Sequence, residues 1–310
     1  MEGFALGTQS KTLGSKKEKE DAGEEKSSFP NLRTTPLTDA QFKRLGHYIE
    51  SELGIRMPPA KRVMLESRLQ KRIRALGLGG FEEYLEFVFQ EEQADGELLH
   101  MIDAVTTNKT DFFREADHFD YLLGTLLPER YADGWGKGRP FRVWSSASST
   151  GEEPYTLAIT LEEFAAQHRD FEYKILGTDI STAALDRGRK ATYTEERVAP
   201  VPSAYLKKYF LRSKDKESKL VRVKPVLRSK VIFHRLNLMA GDFGIQDRFE
   251  VIFCRNVIIY FDRPTQGILL RKLYDYLRPG GYLFLGHSET LAGMGLPLIS
   301  IAPTIYRRPE

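Results

Sequence analysis

Small and acidic residues follow two segments whose composition is typical of β-strands. The first segment, 141–145, leads into Ser146-Ala-Ser-Ser-Thr-Gly-Glu-Glu-Pro154, where Gly151 permits a positive φ. A turn of this kind that opens a helix presents free backbone N–H groups to a ligand. It lacks the G-x-G-x-x-G of dinucleotide folds, and the absence of a P-loop lysine argues against phosphate binding. The second segment, 173–177, leads to Asp179, whose carboxylate either binds both hydroxyls of a ribose or caps the following helix.

Charged and amide side chains occur in two further places. Asn108-Lys-Thr-Asp-Phe-Phe-Arg-Glu115 contains Arg114, which could clamp a carboxylate bidentately or serve a structural role. Phe253-Cys-Arg-Asn256 ends another strand-like segment, and ligands bind at the carboxyl ends of parallel strands. Cys254 is a small hydrophobe rather than a nucleophile, because no histidine lies nearby in the sequence. His287-Ser288-Glu289 suggests a catalytic triad, but its order is wrong for an α/β-hydrolase and no G-x-S-x-G exists.

The composition limits the class of protein and the kind of site. The 310 residues carry a formal charge of +3, so nothing demands a nucleic-acid partner. A single cysteine excludes an internal disulfide, and the six histidines lack the spacing of H-E-x-x-H, so we expect no metal site. No apolar run reaches the roughly 18 residues of a membrane span, and the N-terminus has no hydrophobic signal region. We therefore expect a cytoplasmic protein without membrane insertion.

The first part of the chain has the pattern of a disordered tail followed by a helical domain. Residues 1–32 are rich in Lys, Glu, Ser and Gly, with too few apolar side chains to offset the entropy of ordering. Residues 33–127 form a predicted helical domain and linker. In that domain Thr38-Asp-Ala-Gln41 has the form of a capping box, and Gly54 suits a C-cap. Further helices are predicted from Pro59 to Gly77, at 81–93 and at 97–105.

Residues 128–310 alternate between strand-like and helix-like segments, which indicates an α/β domain with a mainly parallel sheet. The predicted strands are 141–145, 173–177, 231–236, 249–254 and 281–285. The second and third of these lie too far apart for one crossover connection, and the alternating segment Leu220-Val-Arg-Val223 lies between them. We therefore expect a small antiparallel β subdomain inserted at about 200–230.

Six segments of the chain carry recognisable motifs, in order and with consistent spacing across Leu37 to Arg308. They are Asn108-Lys-Thr-Asp-Phe-Phe-Arg-Glu115, Trp144-Ser-Ser-Ala-Ser-Ser-Thr-Gly-Glu-Glu-Pro-Tyr155, Gly177-Thr-Asp-Ile180, Leu236-Asn-Leu238, Ile252-Phe-Cys-Arg-Asn-Val-Ile-Ile-Tyr-Phe261 and Pro279-Gly-Gly-Tyr-Leu-Phe-Leu-Gly-His-Ser-Glu289. Each is weak alone, but together the chain resembles the bacterial chemotaxis receptor methyltransferases of the CheR type. The resemblance implies a Rossmann-like S-adenosylmethionine-dependent methyltransferase domain behind an all-helical N-terminal domain, with a small inserted antiparallel β subdomain.

The same resemblance implies an activity and a set of site residues. The reaction would move a methyl group from S-adenosylmethionine to glutamate side chains on the cytoplasmic helical bundle of a chemoreceptor, leaving S-adenosylhomocysteine. The implied cofactor contacts are Asn108, Thr110, Arg114, Glu152, Asp179, Asn237, Leu238, Arg255 and Asn256. Arg114 and Tyr260 would also face the reacting centre. A glutamate, with a pKa of about 4.3, is already ionised at neutral pH, which explains why no histidine base is apparent.

The chain departs from this family's pattern in two places. Ser148-Ser149 stands where an Ala-Ser or Cys-Ser pair is common, which exchanges one small residue for another. The segment Phe210 to Leu220 has no glycine, whereas members that dock on a receptor's C-terminal pentapeptide carry a glycine in this loop. The chain therefore resembles members that work without that tether, and we expect a monomer that binds the receptor bundle directly.

The surface that binds a receptor is predicted on the second helix. Lys61, Arg68 and Arg72 fall close together around its axis, either as an ordinary solvated surface or as a surface for the Glu clusters of a receptor.

Two rival functions remain. A nucleic-acid methyltransferase shares the fold, but amino-methylating members carry Asp/Asn-Pro-Pro-Tyr where this chain has Cys254-Arg-Asn256. A non-catalytic S-adenosylmethionine-sensing or scaffold protein is the other, and the intact cofactor segments argue against it.

Overall fold

The structure, a computed structural model, describes residues 36–89, 94–215 and 217–310. The predicted disordered tail, 1–32, and the end of the third predicted helix at Gln93 lie outside the described residues. Within the described ranges, no helix is long and apolar enough to cross a membrane.

Four α-helices form the N-terminal domain. Helix α1 (Asp39–Leu53) begins at the predicted capping box: the Thr38 hydroxyl accepts the N–H of Gln41, and the Gln41 side chain accepts the N–H of Thr38. It ends at Gly54, whose φ of 70° is the left-handed conformation that favours glycine. A 3-10 turn (Pro59–Lys61) leads into α2 (Arg62–Leu76), and α3 (Phe81–Phe89) and α4 (Ala94–Val105) follow.

Apolar stripes on these helices meet in one core. Leu45 and Ile49 on α1, and Leu65, Leu69 and Ile73 on α2, are all fully buried. Their spacing of four residues places each set on one face of its helix, as the sequence predicts. Side chains of α3 and α4 close the other side of the same cluster.

Two of the three basic residues predicted on the second helix have partners inside this domain. Arg68 donates to the carbonyl oxygens of residues 104–106, which end α4 and lack helical partners. Arg72 forms two hydrogen bonds to Glu97, at 2.9 and 2.5 Å, and the Tyr84 hydroxyl donates to the same carboxylate. Glu97 is 6% exposed, so this pairing neutralises a buried charge. The interpretation of Arg68 and Arg72 as a solvated face is therefore wrong, because α2 turns this side toward α4.

The α/β domain contains the rest of the regular structure. Its strands are β1 (Phe141–Ser145), β2 (Tyr173–Asp179), β3 (Thr192–Thr194), β4 (Phe210–Arg212), β5 (Leu220–Val223), β6 (Val231–Arg235), β7 (Phe249–Cys254), β8 (Leu277–Leu285), β9 (Ile299–Ala302) and β10 (Ile305–Arg307). Its helices are α5 (Asp117–Tyr121), α6 (Leu127–Ala132), α7 (Glu152–Ala165), α8 (Thr182–Lys190), α9 (Ser203–Tyr209), α10 (Pro225–Arg228) and α11 (Arg263–Tyr276). A π-helical turn (Leu122–Leu126) joins α5 to α6, and a 3-10 turn (Ile258–Tyr260) follows β7.

Seven of these strands form a mixed sheet in the order β6-β2-β1-β7-β8-β10-β9. Strands β6, β2, β1, β7 and β8 are parallel to one another, while β10 is antiparallel to β8. All five predicted strands are present, and the predicted Rossmann-like arrangement is confirmed. The strand order reverses between β1 and β7, which is the switch point where ligands bind in open α/β sheets.

Helices cover both faces of this sheet. Successive residues of a strand point to opposite faces, so Val143 and Phe253 lie in one apolar cluster with α7, whereas Trp144 and Ile252 lie in another with α11. Both faces of the sheet are therefore buried under helices, and the carboxyl edge remains available to a ligand.

A second, three-stranded antiparallel sheet has the order β3-β5-β4. It is the inserted subdomain expected at about 200–230, with one strand, β3, beginning earlier at Thr192. Tyr193 of β3 reaches out of the subdomain and donates a hydrogen bond of 2.9 Å to the carbonyl of Thr150, in the turn after β1. The insertion is thus attached directly to the turn that the sequence marks as a ligand site.

The helical domain contacts the carboxyl edge of the large sheet on both sides of the switch point. Beyond the end of α1, the N–H of Arg56 donates to the carbonyl of Tyr260 at 3.0 Å. At the end of α4, Asp103 accepts the hydroxyl of Thr182 at 2.9 Å, at the start of α8. Because these contacts lie on opposite sides of the switch point, a cleft remains between them.

Candidate active site

The cleft lies between the helical domain and the carboxyl ends of β1, β2, β6 and β7. It measures about 1160 Å³, counting the space at its open mouth. Its lining includes eight of the nine residues expected to contact a cofactor, namely Asn108, Thr110, Arg114, Asp179, Asn237, Leu238, Arg255 and Asn256. Tyr260 and Lys61 line it as well. Residues far apart in the sequence therefore converge on one site, as the strand-end argument predicts.

The turn after β1 forms one wall of the cleft. Gly151, at the start of α7, has a φ of 98°, and a β-carbon there would lie 2.9 Å from both the Gly188 Cα and the Tyr193 hydroxyl. Ser149 also has a positive φ, 47°, and points its N–H at the Asp179 carboxylate, 2.8 Å away. The turn is held in this strained shape by its neighbours, and its small side chains leave room for a ligand.

Asp179 ends β2 with its carboxylate on the cleft. One oxygen accepts the N–H of Ser149 and the other the N–H of Ser181, at 2.8 and 2.9 Å. The helix-capping alternative is wrong, because the Ser181 hydroxyl caps α8 by accepting the N–H of Ala184. Each carboxylate oxygen keeps a second lone pair, and burial raises the pKa of Asp179. The site therefore fits a pair of ribose hydroxyls, which could donate to these two oxygens.

Arg255 places a buried positive charge beside that site. Its side chain is 2% exposed and lies against the rings of Phe119 and Phe253. Glu115 and Glu153 lie 3.2 and 3.6 Å from the guanidinium. Within the described part of the chain its Nε and Nη1 have no hydrogen-bond partner. Unused donors on a buried cation that lines a cleft fit a carboxylate such as that of an amino-acid ligand.

Of the two adjacent glutamates at the start of α7, Glu153 lines the cleft and the expected residue, Glu152, does not. Glu152, expected to contact the cofactor, is not among the lining residues; it pairs with Arg197 at 2.6 Å and accepts the hydroxyl of Thr150. Glu153 lines the cleft instead, where burial raises its pKa and Arg255 opposes the rise. Neighbouring residues of a helix point about 100° apart, so only one of the two can face the cleft.

Lys61, Arg114 and Tyr260 line the cleft, and all three are partly exposed. The Lys61 ammonium lies 5.6 Å from the centroid of the Tyr260 ring, and burial lowers the pKa of this lysine. Arg114 donates to the carbonyl of Lys109 at 3.0 Å, which leaves the rest of its planar donor fork for a ligand. Two cations and a phenol thus line the cleft together with the expected cofactor residues.

Glu289 is a site residue that the sequence reasoning did not identify. Its carboxylate is 5% exposed and accepts backbone N–H groups from Asn256, Val257, Ile258, Ile259 and Gly286. It thereby stabilises the loop that carries Asn256 and Tyr260. In this loop Asn256 adopts a positive φ of 55°. The sequence signals of Glu289 were its place in the His-Ser-Glu segment and at the end of the motif segment 279–289. Cys254, by contrast, is fully buried with a raised pKa, so it is a core residue as expected.

The fold and the site together define a class of protein. A seven-stranded sheet of this order, with an acidic residue at the end of β2 and a cleft at the switch point, is that of a Rossmann-like S-adenosylmethionine-dependent methyltransferase. The family model described as the CheR methyltransferase S-adenosylmethionine-binding domain matches residues 108–304, and the CheR all-alpha domain matches residues 40–106. The chain belongs to the CheR methyltransferase family, and S-adenosylmethionine is its cofactor.

Relatives match over most of their length. A chemotaxis protein methyltransferase of Borreliella burgdorferi is 38% identical over 277 residues, covering 88% of this chain and 95% of the relative. The Escherichia coli chemotaxis protein methyltransferase is 38% identical over 270 residues, covering 87% and 91%. Chemotaxis protein methyltransferase 2 of Pseudomonas aeruginosa is 39% identical over 269 residues, covering 87% and 93%.

We predict that Asp179→Ala weakens cofactor binding. The variant loses hydrogen bonds to a charged acceptor, which should cost about 1.5–3 kcal/mol of affinity for S-adenosylmethionine in calorimetry. Asp186→Ala, on the exposed side of α8, is the matched control and should bind as the unmodified protein does. Unchanged affinity in a folded Asp179→Ala protein would remove Asp179 from the site.

We also predict that Glu289→Gln lowers methyl transfer while the protein stays folded. An amide has the same size but places an NH₂ group against backbone N–H donors, so the loop with Asn256 and Tyr260 loses its anchor. The turnover rate at saturating cofactor should fall by roughly 10-fold or more, since positioning errors near 1 Å cost on the order of 100-fold. Glu172→Gln, on the surface, is the control. A wild-type turnover in the Glu289 variant at a temperature well below its Tm contradicts the positioning role.

Proposed function

We propose that this methyltransferase acts on glutamate side chains in the cytoplasmic helical bundle of a chemoreceptor. The single observation that carries the proposal is that two cations, Lys61 and Arg114, line the same cleft as Tyr260, with the Lys61 ammonium 5.6 Å from the centroid of the Tyr260 ring. Cations at this place attract an anionic acceptor and disfavour a cationic amine. The relatives named as chemotaxis protein methyltransferases support the same assignment.

The acceptor chemistry suits the residues at hand. A glutamate carboxylate, with a pKa of about 4.3, is a nucleophile at neutral pH without loss of a proton. When bound, S-adenosylmethionine supplies a methyl group activated by its positive sulfonium. The protein's contribution is alignment of the acceptor oxygen, which can provide on the order of 7–11 kcal/mol. No histidine lines the cleft in the described part of the chain, so a base of that kind is not part of the proposal.

Arg114 and Tyr260 have distinct proposed roles. The guanidinium of Arg114 can hold both oxygens of the acceptor carboxylate in one plane, which a lysine cannot do. Tyr260 forms the wall against which the acceptor approaches. Its carbonyl accepts the N–H of Arg56, and the N–H of the preceding residue, Ile259, donates to Glu289.

The receptor-binding surface needs revision. Lys61 lies in the cleft, and Arg68 and Arg72 bind groups of the helical domain itself, so a change of these arginines would disturb that domain. On the same helix Lys71 and Arg74 are exposed. We propose that these two carry the long-range attraction to acidic receptor helices, an effect that weakens as salt shortens the Debye length.

The test of the proposed reaction is transfer of labelled methyl from S-adenosylmethionine to receptor fragments. Carboxyl methyl esters release methanol in base, whereas N-methyl groups on nucleic acid or amines do not. We expect base-labile label, and we expect Arg114→Lys to lose turnover at saturating cofactor by more than about 10-fold, with Arg271→Lys as the control. Base-stable label would point to the nucleic-acid alternative, and no label with intact cofactor binding would point to a sensor or scaffold.

We further propose that no C-terminal receptor pentapeptide is needed. The β4–β5 connection, 213–219, lacks a glycine, and Lys219 in it adopts a φ of 46° despite its side chain. Titration with such pentapeptides should show no low-micromolar binding. Receptor fragments with and without the last residues should be methylated at the same rate, and a clear preference for the intact terminus would overturn the proposal.

A further inference from the structure

Three side chains meet beside the cofactor cleft: Glu115 and His118, which are three residues apart, and His287, which lies far along the chain. One possible ligand atom of each lies within 4.8 Å of the other two. His118 is fully buried, the Glu115 side chain is 13% exposed, and that of His287 is 51% exposed. The cluster is therefore buried at His118 and open to solvent at His287.

Hydrogen bonding favours one tautomer of His118. The Thr304 hydroxyl has the carbonyl of Pro303 as an acceptor at 2.7 Å, and its oxygen can then accept from the ring nitrogen Nε2, 2.8 Å away. A neutral imidazole with the proton on Nε2 has a lone pair on Nδ1.

Two lone pairs consequently face each other at the buried end of the cluster. Nδ1 of His118 lies 3.7 Å from Oε2 of Glu115, and neither atom has a hydrogen-bond partner within the described ranges. Arg255 lies 3.2 Å from the same carboxylate oxygen and offsets its charge, but it provides no donor to Nδ1. Buried acceptors without a donor are costly, and a cation between them removes that cost.

We propose that Glu115, His118 and His287 form a binding site for a divalent transition metal of the zinc class. Two imidazoles and a carboxylate are ligands that Zn²⁺ accepts, at about 2.0–2.2 Å. The exposed His287 can move by the ångström or so that closes the set around an ion. Asp117, 3.1 Å from Nε2 of His287, is placed to orient that ring as an outer carboxylate, leaving Nδ1 for the metal.

Metal in this site opposes methyl transfer. Glu115 accepts the side-chain amide of Asn256 at 3.0 Å and pairs with Arg255, and both of these residues line the cofactor cleft. A divalent ion on Oε2 of Glu115 places new positive charge beside Arg255 and favours its shift toward Glu153. Cofactor affinity should therefore fall when the metal binds, and by linkage metal affinity should fall when the cofactor binds.

The test is spectroscopic and independent of any methyl acceptor. Chelator-treated full-length protein is titrated with Co²⁺, whose visible bands report low-coordinate binding to imidazole and carboxylate, and Zn²⁺ is then added to displace it. We expect one Co²⁺ per chain with micromolar or tighter affinity. His287→Ala, at an exposed position, should weaken binding by more than about 10-fold, and Asp117→Asn by roughly 10-fold or more, as changes of an outer carboxylate do.

His234→Ala is the matched control, because His234 is also exposed and lies on β6 outside the cluster. This variant should bind Co²⁺ as the unmodified protein does. Absence of saturable binding, which is expected if only water occupies the space, overturns the proposal, and so does binding that His287→Ala leaves unchanged. Calorimetry of S-adenosylmethionine with and without Zn²⁺ tests the coupling: we expect weaker cofactor binding with the metal, and equal affinities would refute the inhibitory role.

Discussion

The charged groups buried at the carboxyl edge of the sheet need hydrogen-bonding or ionic partners within the protein. The structure of the site follows from which partners each of these groups has. Glu289 is satisfied entirely by backbone N–H groups, so it acts as a fixed anchor for the loop after β7. Asp179 takes one backbone donor on each oxygen and keeps a lone pair on each. Arg255 keeps two donors, Nε and Nη1, without a hydrogen-bond partner among the described residues. The incompletely paired groups that line the cleft therefore indicate what binds there.

The inserted β subdomain is coupled to this edge as well. Tyr193 binds the carbonyl of Thr150, and Arg197 links the buried Glu152 to Asp111, which lies in the lining of the cleft. Without these contacts the turn after β1 would have to hold its positive φ angles alone. The subdomain is thus part of the scaffold of the cofactor site, whatever else its outer surface contacts.

The helical domain uses different residues for stability and for charge at the cleft, two of them on α2 and one just before it. Arg68 and Arg72 of α2 bind the end of α4 and the buried Glu97, and so they stabilise the domain. The ammonium group of Lys61, just before α2, lies over the Tyr260 ring. The contact from Arg56, which lies between α1 and α2, to the Tyr260 carbonyl joins the helical domain to the loop that carries Tyr260. A partner that binds the helical domain at this place therefore lies next to the cleft.

The sequence by itself determined the local structure and the family. Thr38, Gln41 and Gly54 fixed the ends of α1 because caps depend on neighbouring residues, and the five strands were visible because burial on both faces leaves an uninterrupted apolar pattern. The motifs also placed Asp179, Arg255 and Asn256 at one edge, since parallel strands end together.

Only the tertiary structure decided which partner each side chain meets. Glu152 and Glu153 are equivalent in the sequence, but the rotation of α7 gives one to Arg197 and the other to the cleft. Arg68 and Arg72 have the spacing of a solvated face, but α4 lies across them. Glu115 and His287 come together only when β8 returns beside β7. Periodicity records which way a residue points along its own element, whereas the atoms it faces depend on how distant elements pack.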